Sequence, residues 1–384
     1  MSLPLRIAML GVRGLASGPP PRFGREGRLE IGGAEVAAEQ LSRHLVLRGH
    51  EVTLFARGGA PFTSEGVQVE PTWFLAGRRT EALTHSFWTA GRILGRQYDV
   101  VHFHAVGPGS AAVLARLAGR PSVLTVQGLD WERKKWGAWE RRFFSVLGAF
   151  ALRQVTATIA VAPSLVHPLQ ELGARRVTCI PNGFQAPGSG DPRVLEGLGL
   201  TPGQFLLMLT RLVPEKNIHR VIPAYLRSRV PWPLVIAGGG SHSDSYVDEL
   251  RRLAKGSGRV RFVGVAQGAR KATLLQGAGA FLNASTVEGL SVALLEALGM
   301  GIPTAISPIP MNLDVFAMAG NAPSPTLLDV QDEENLTKGL EQLVERAELD
   351  RPLWRGFASQ VRARFSWEVI AGEVEQVYLE VVNR

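Results

Sequence analysis

The chain has a single cysteine, Cys179, which excludes an internal disulfide and any cysteine-rich metal cluster. It also lacks any run of about 18 uncharged apolar residues. Although 45% of its residues are hydrophobic, no membrane-spanning helix is therefore expected. The opening Met1-Ser-Leu-Pro-Leu-Arg6 has no apolar signal-peptide core, so a cytoplasmic location is expected. Nothing resembles a metal-binding Asp-x-Asp pair, and neither a divalent ion nor another cofactor is expected. Zinc-finger and ribonucleoprotein patterns are missing too, which weighs against nucleic acid as a partner.

That last absence matters because the net charge is +8. The excess lies in the first half, with 22 Lys/Arg against 13 Asp/Glu up to residue 185 and 20 against 21 beyond it. An anionic membrane surface is then the expected partner of the first half, giving peripheral attachment. Trp136, Trp139, Phe143, Leu147 and Phe150 recur at three- and four-residue steps and so share one helical face, behind the basic cluster Arg133-Lys134-Lys135. Most such stripes are core, but aromatic and basic residues at a helix start also resemble an interfacial anchor.

At 384 residues the chain is longer than one ordinary core sustains, and two domains are expected. Short apolar runs alternate with helical patterns throughout, as in parallel sheets covered by helices on both faces. Strands are expected at 5–10, 51–55, 100–104, 122–126, 158–162 and 177–180. The segment 185–203, rich in Gly, Pro and Asp, reads as a linker between a domain at 1–184 and another at 204–365. Beyond it strands are expected at 205–209, 234–237, 260–263, 280–282 and 304–306, then helices at 333–347, 351–364 and 367–382.

Ligands of open α/β sheets bind beyond the carboxyl ends of strands, so the polar residues at those ends carry the functional reading. Arg211 and Lys216 follow one strand, a planar fork and a point charge suited to a diphosphate; alone the motif reads as a solvated charged loop, and the carboxylate pair downstream turns the reading to a ligand. Glu288 and Glu296 follow another. With a helix starting near Gly289, the two carboxylates stand a little over two turns apart and can share a cleft. The amides of Gly289, Leu290 and Ser291 would then form a phosphate-binding helix end. Gly238 and Gly239 permit close backbone approach to a ligand, with a simple turn as the alternative. Gly32 and Gly33 open a helix and offer amides to an anion, with a structural turn as the alternative, and the loop before them does not fit a dinucleotide fingerprint. His104, Gln127 and Asp130 lie at further strand ends, and His104 is the candidate for substrate contact, with a satisfied buried histidine as the alternative. His102 is assigned to the opposite strand face from His104, so a zinc pair is not expected.

Taken together, Arg211-x4-Lys216, Glu288-x7-Glu296, the glycine-rich N-terminal loop and the C-terminal helix resemble family 4 of the retaining glycosyltransferases over nearly the whole length. The resemblance implies the GT-B architecture: two Rossmann-like domains facing across a cleft, donor held mainly by the second and acceptor by the first. A final helix at 366–384 would return to the first domain. It implies that Arg211 and Lys216 hold the donor diphosphate, Glu288 lies against the donor sugar and Glu296 accepts from the ribose hydroxyls. The amides after Gly289 would cap the phosphates, and Gly32-Gly33 would approach them. Gln127 stands where many relatives carry histidine, a departure that removes a group often placed beside the donor sugar.

The expected reaction is transfer of a sugar from a nucleotide diphosphate sugar to a carbohydrate or lipid-linked acceptor, with retention, in cell-surface polysaccharide or glycolipid assembly. Retaining glycosidases need a nucleophilic carboxylate beside the anomeric carbon, and none is identifiable here; front-face attack, implied by the resemblance, avoids that need. A nucleotide-sugar epimerase of the same fold and a non-catalytic sugar-nucleotide-binding scaffold are the alternatives.

Overall fold

Parallel strands buried on both faces read as unbroken apolar runs, and every residue of Leu234–Ala237 is buried, as is every residue of Ala280–Asn283. A computed structural model describes residues 3–12, 14–15, 32–57, 60–75, 81–129, 131, 137–240 and 244–383, with backbone only at 81–83 and 244. The chain divides into two units, Met1–Gly183 with Trp367–Arg384, and Phe184–Ser366.

In the first unit β1 (Arg6–Leu10), β2 (Glu51–Arg57), β3 (Phe62–Ser64), β4 (Val67–Thr72), β5 (Val100–His104), β6 (Ser122–Val126), β7 (Ala157–Ala160) and β8 (Val177–Cys179) form one sheet. Its order is β3-β4-β2-β1-β5-β6-β7-β8, and only β3 runs antiparallel to its neighbour. The second unit holds β9 (Leu206–Leu209), β10 (Leu234–Ala237), β11 (Val260–Gly264), β12 (Ala280–Asn283), β13 (Thr304–Ile306) and β14 (Thr326–Leu327), ordered β11-β10-β9-β12-β13-β14 and wholly parallel. Both sheets are therefore doubly wound. The order reverses between β1 and β5 in one and between β9 and β12 in the other, which creates a crevice at each reversal.

Several elements differ from expectation. Strand β3 at the edge of the first sheet, β4 beside it and β14 at the edge of the second were not expected; in β4, Gln68, Glu70 and Pro71 interrupt any apolar run. The two helices expected at 333–347 and 351–364 are one helix, Glu333–Arg364. Pro352 is exposed, so the hydrogen bond it cannot make is lost on the solvent side while Leu343, Ala347, Trp354 and Phe357 keep one buried face.

The last helix, Trp367–Val382, packs in the first unit. Ile370, Ala371, Val374, Val377, Tyr378 and Val381 join Ala37, Ala38, Leu41 and Leu45 of helix Gly33–Leu47 in one core. Such burial contributes roughly 1.5–3 kcal/mol per large aliphatic side chain. Fully buried Tyr378 adds a directional contact, its hydroxyl 2.6 Å from Nδ1 of His102. Tyr378→Phe keeps the ring but strands that nitrogen, and urea denaturation of the full chain should show a loss of about 1–3 kcal/mol; an unchanged midpoint would show that the contact adds nothing to stability.

Candidate active site

The reversal between β9 and β12 gathers the residues singled out in the second half. After β9 the chain passes Thr210 and Arg211, makes a helical turn at Pro214–Lys216, and reverses at Asn217 with φ 52° and ψ 27°. Asparagine is one of the few side chains that adopts this left-handed conformation readily. Its Nδ2 donates to the Ala284 carbonyl at 2.7 Å, and the Thr286 amide donates to the Glu215 carbonyl at 2.9 Å. These two bonds stitch the loop after β9 to the loop after β12. As a result Lys216 and Glu288 form an ion pair, with side chains only 10% and 13% exposed.

The glutamate is anchored from below as well. Ser285 Oγ donates to Glu288 Oε1 at 2.8 Å, and Ser307 Oγ donates to the Ser285 carbonyl. Asn312 Nδ2 donates to the Ser307 carbonyl at 3.0 Å, and Asn283 Nδ2 to Asn312 Oδ1 at 3.4 Å. All four polar residues are buried, so each bond replaces solvent that the interior denies. Sequence reading missed Ser285, Ser307, Asn312 and Asn217, because small polar residues at strand ends resemble ordinary turn formers. Arg211 is half-buried, and its guanidinium has no partner among the described residues. One paired cation and one free cation thus follow the same strand.

The helix expected from Gly289 begins three residues later. Gly289 and Leu290 form a bend, Ser291 is the N-cap with Oγ accepting from the Leu294 amide at 3.4 Å, and the helix is Val292–Gly299. The helix-end amides are therefore those of Val292 and Ala293, because Ser291 takes the capping position that its hydroxyl favours. Glu288 consequently sits on a loop, and helical periodicity does not relate it to Glu296. Glu296 is 4% exposed and pairs with Lys271 Nζ at 2.6 Å, a partner no motif indicated. Burial pushes the Glu296 carboxyl up, and the Lys271 charge opposes that shift.

Gly238 has a structural reason to be glycine. A Cβ there would lie 1.7 Å from the Thr210 carbonyl oxygen, so its missing side chain lets β10 and the Arg211 loop approach each other. The Leu212 amide donates to the Gly239 carbonyl at 2.8 Å, extending the same pairing.

In the first unit Gly32 is the N-cap of helix Gly33–Leu47, and its amide already donates to Glu35 Oε2 at 3.0 Å. Gly33 is exposed at the first helical position. His102 and His104 share a face of β5, with ring centroids 4.3 Å apart. The assignment to opposite faces fails because residues two apart in a strand point the same way. His102 is saturated, Nδ1 facing Tyr378 and Nε2 2.7 Å from the Thr125 hydroxyl. His104 is 2% exposed, has no partner for either ring nitrogen among the described residues, and lines a small cavity with Thr125, Gln127 and Asn182. Gln127 and Asn182 exchange amide hydrogen bonds of 3.2 and 2.9 Å. Asp130 lies outside the described residues, as do 132–136 of the aromatic and basic segment. The rest of that segment is helix Ala138–Gln154, on which Trp139 is 83% exposed and Phe143 and Phe150 are also exposed, so the stripe is not core.

Two family models match this architecture, that of Glycosyltransferase Family 4 over residues 31–186 and that of Glycosyl transferases group 1 over 198–353. The chain belongs to the family 4 glycosyltransferases. This glycosyltransferase is 25% identical over 179 residues to the O-antigen chain mannosyltransferase B of Escherichia coli, a match covering 46% of the chain and 45% of that relative. The matched part is thus less than half of that protein. The GDP-mannose:cellobiosyl-diphosphopolyprenol alpha-mannosyltransferase of Xanthomonas oryzae is 23% identical over 298 residues, 75% of the chain and 76% of the relative. Among solved structures, HepE of Anabaena in complex with UDP and glucose superposes with a TM-score of 0.77 at 16% identity, covering 98% of the chain and 100% of HepE. That likeness establishes the GT-B fold.

The buried histidines of this glycosyltransferase give a pH signature. Burial lowers His85 and His104 from 6.5 to about 4, and lowers His102 as well, so all three are neutral at pH 7. Unfolding releases them to ordinary values, so the unfolded state binds more protons between about pH 6.5 and 4. The neutral-form contribution is fully present above that window and is lost as pH falls through it. Urea unfolding should weaken by up to about 1.4 kcal/mol per pH unit per histidine. His104→Leu should flatten the slope by one such share, and equal slopes in the two proteins would contradict the buried neutral state.

Proposed function

We propose that the enzyme transfers a sugar from a nucleotide diphosphate sugar to a carbohydrate or lipid-linked acceptor, with retention of configuration, in cell-surface polysaccharide or glycolipid assembly. The observation that carries this reading is the Lys216–Glu288 pair at the β9/β12 reversal, with Arg211, which has no partner among the described residues, after the same strand as Lys216. Breaking the sugar–phosphate bond leaves negative charge on the diphosphate. Arg211, Lys216 and the Val292 and Ala293 amides would receive it, so no divalent ion is needed in this scheme. Transfer of Lys216 from Glu288 to the diphosphate would free that carboxylate for the donor sugar. Glu296 would accept from the ribose, and Gly289, Leu290 and Ser291 would line the phosphate side as the loop that delivers the helix end. His104, Gln127 and Asp130 belong to the acceptor or sugar side in this scheme.

Both curated relatives are named as mannosyltransferases, one of them for GDP-mannose, and the HepE structure holds UDP and glucose. GDP-mannose is therefore the first donor to try, with UDP-glucose as comparison, in a thermal-shift screen that reads binding by mass action. With a donor in hand, Lys216→Ala and Glu288→Ala should each lower kcat by about 10²–10³ at saturating donor. Full turnover in either variant would overturn the assigned roles. Donor alone should stay unchanged; epimerised sugar nucleotide without acceptor would favour an epimerase instead.

The first unit supplies the proposed membrane contact, through the exposed Trp139, Phe143 and Phe150 and the exposed Arg142 on the same helix. No helix among the described residues is long and apolar enough to cross a membrane, so attachment would be peripheral, at the cytoplasmic face. Nucleic acid is not a proposed partner. Co-sedimentation with anionic vesicles should be strong at low salt and fall as salt rises, and Trp139→Ala with Phe143→Ala should weaken it several-fold. Lack of binding at low salt would defeat the membrane reading.

A further inference from the structure

Glu296 is nearly buried, yet the role proposed for it requires an ionised carboxylate with one oxygen turned to a ligand. A lone carboxylate in such a place tends to neutralise. Its Oε1 is held by Lys271 Nζ at 2.6 Å, from the neighbouring helix Gly268–Gly277, and Lys271 is its only side-chain partner among the described residues. Three charged groups on adjoining elements are engaged elsewhere. Arg270 donates to the Val263 carbonyl at 2.7 Å, Arg362 of helix Glu333–Arg364 to the Gly299 carbonyl at 2.7 Å, and Lys216 pairs with Glu288. The lysine is itself 29% exposed, so packing alone does not require it.

We propose that Lys271 is a positioning residue for the donor nucleotide: by occupying Oε1 of Glu296 it keeps that carboxylate charged and presents Oε2 to the ribose diol. The inference rests on the reading of Glu296 as the ribose acceptor. An ionised acceptor discriminates more strongly in favour of the diol than a protonated one, because charge-assisted hydrogen bonds are the stronger class. Without Lys271, burial acts unopposed and Glu296 takes up a proton at higher pH. Ribose discrimination would then survive at high pH and fade as pH drops.

The test is the dissociation constant of GDP and of 2′,3′-dideoxy-GDP, and of the matching uridine pair, measured by calorimetry on the full chain between pH 6 and 8.5. Wild type should prefer the ribonucleotide by about tenfold or more across the range. Lys271→Met should keep most of that preference at pH 8.5 and lose it to within about threefold at pH 6, Lys271→Arg should restore it, and Glu296→Gln should abolish it at every pH. Circular dichroism and thermal unfolding confirm that each variant is folded; should Lys271→Met fail to fold, Lys271→Gln supplies the same reading. If wild type itself shows no preference, the ribose role of Glu296 fails and the inference with it. A wild-type preference that Lys271→Met or Lys271→Gln retains unchanged at pH 6 overturns the role of Lys271 alone and leaves the proposed function standing.

Discussion

Two oppositely charged side chains from loops 72 residues apart are buried together only if the backbone fixes the distance between those loops. In the second unit the Asn217–Ala284 and Thr286–Glu215 bonds supply that constraint, and the Lys216–Glu288 pair depends on it. Desolvating both ions costs several kcal/mol each, and their attraction offsets that cost only with good geometry and further hydrogen bonds. Ser285 supplies one, backed by Ser307 and Asn312. A buried pair is weak evidence of stabilisation. Its two charges are the ones that the proposed function assigns to the donor diphosphate and the donor sugar.

The same constraint accounts for the glycines nearby. For the Arg211 loop to run beside the end of β10, Gly238 must present no Cβ to the Thr210 carbonyl. Gly11 does the same at the end of β1, where a Cβ would lie 2.3 Å from the His104 carbonyl and φ is +97°. Gly11 sits at the reversal between β1 and β5, whereas Gly238 joins the end of β10 to that of β9, one strand away from the reversal between β9 and β12. Both let neighbouring strand ends approach closely.

Strand placement was legible because buried parallel strands are continuous apolar runs, and Val100–His104, Ser122–Val126, Leu234–Ala237 and Thr304–Ile306 coincide with their expected bounds. The edge strands β3 and β14, and β4 beside β3, escaped because they are short or carry polar residues and proline, whereas the edge strands β8 and β11 lie close to their expected bounds. Arg211, Lys216 and Glu288 were visible as charges at strand ends, where packing does not ask for charge. Lys271 was not, since a lysine on a helix ordinarily reads as solvated surface and its partner lies 25 residues on. The start of helix Val292–Gly299 was misplaced because a glycine suggests a boundary, whereas the Ser291 hydroxyl decides it through its bond to Leu294. His102 and His104 show a different failure. Period two alone places them on one face, and no structural detail was needed to see it.

The closing helix shows how polar contacts complete what apolar burial leaves undetermined. A stripe of Ile370, Val374, Val377 and Val381 can slide by a turn against Ala37, Leu41 and Leu45 at modest cost, since both faces remain apolar. Tyr378 and Glu375, three residues apart, cannot. Glu375 accepts from Arg48 Nε at 2.7 Å and lies 3.1 Å from Nε2 of His50. The other ring nitrogen of His50, Nδ1, accepts from the Leu5 amide at 3.1 Å, so Nε2 must carry the proton and donate to Glu375. That tautomer links the register of the last helix to the backbone just ahead of β1. The Tyr378 hydroxyl links it to His102 on β5, directly beside His104. A slip of one turn would break both links and leave buried polar atoms unpaired, at about 1–3 kcal/mol for each. The helix that ends the chain is thereby held against β1 and β5, the two strands between which the order of the first sheet reverses.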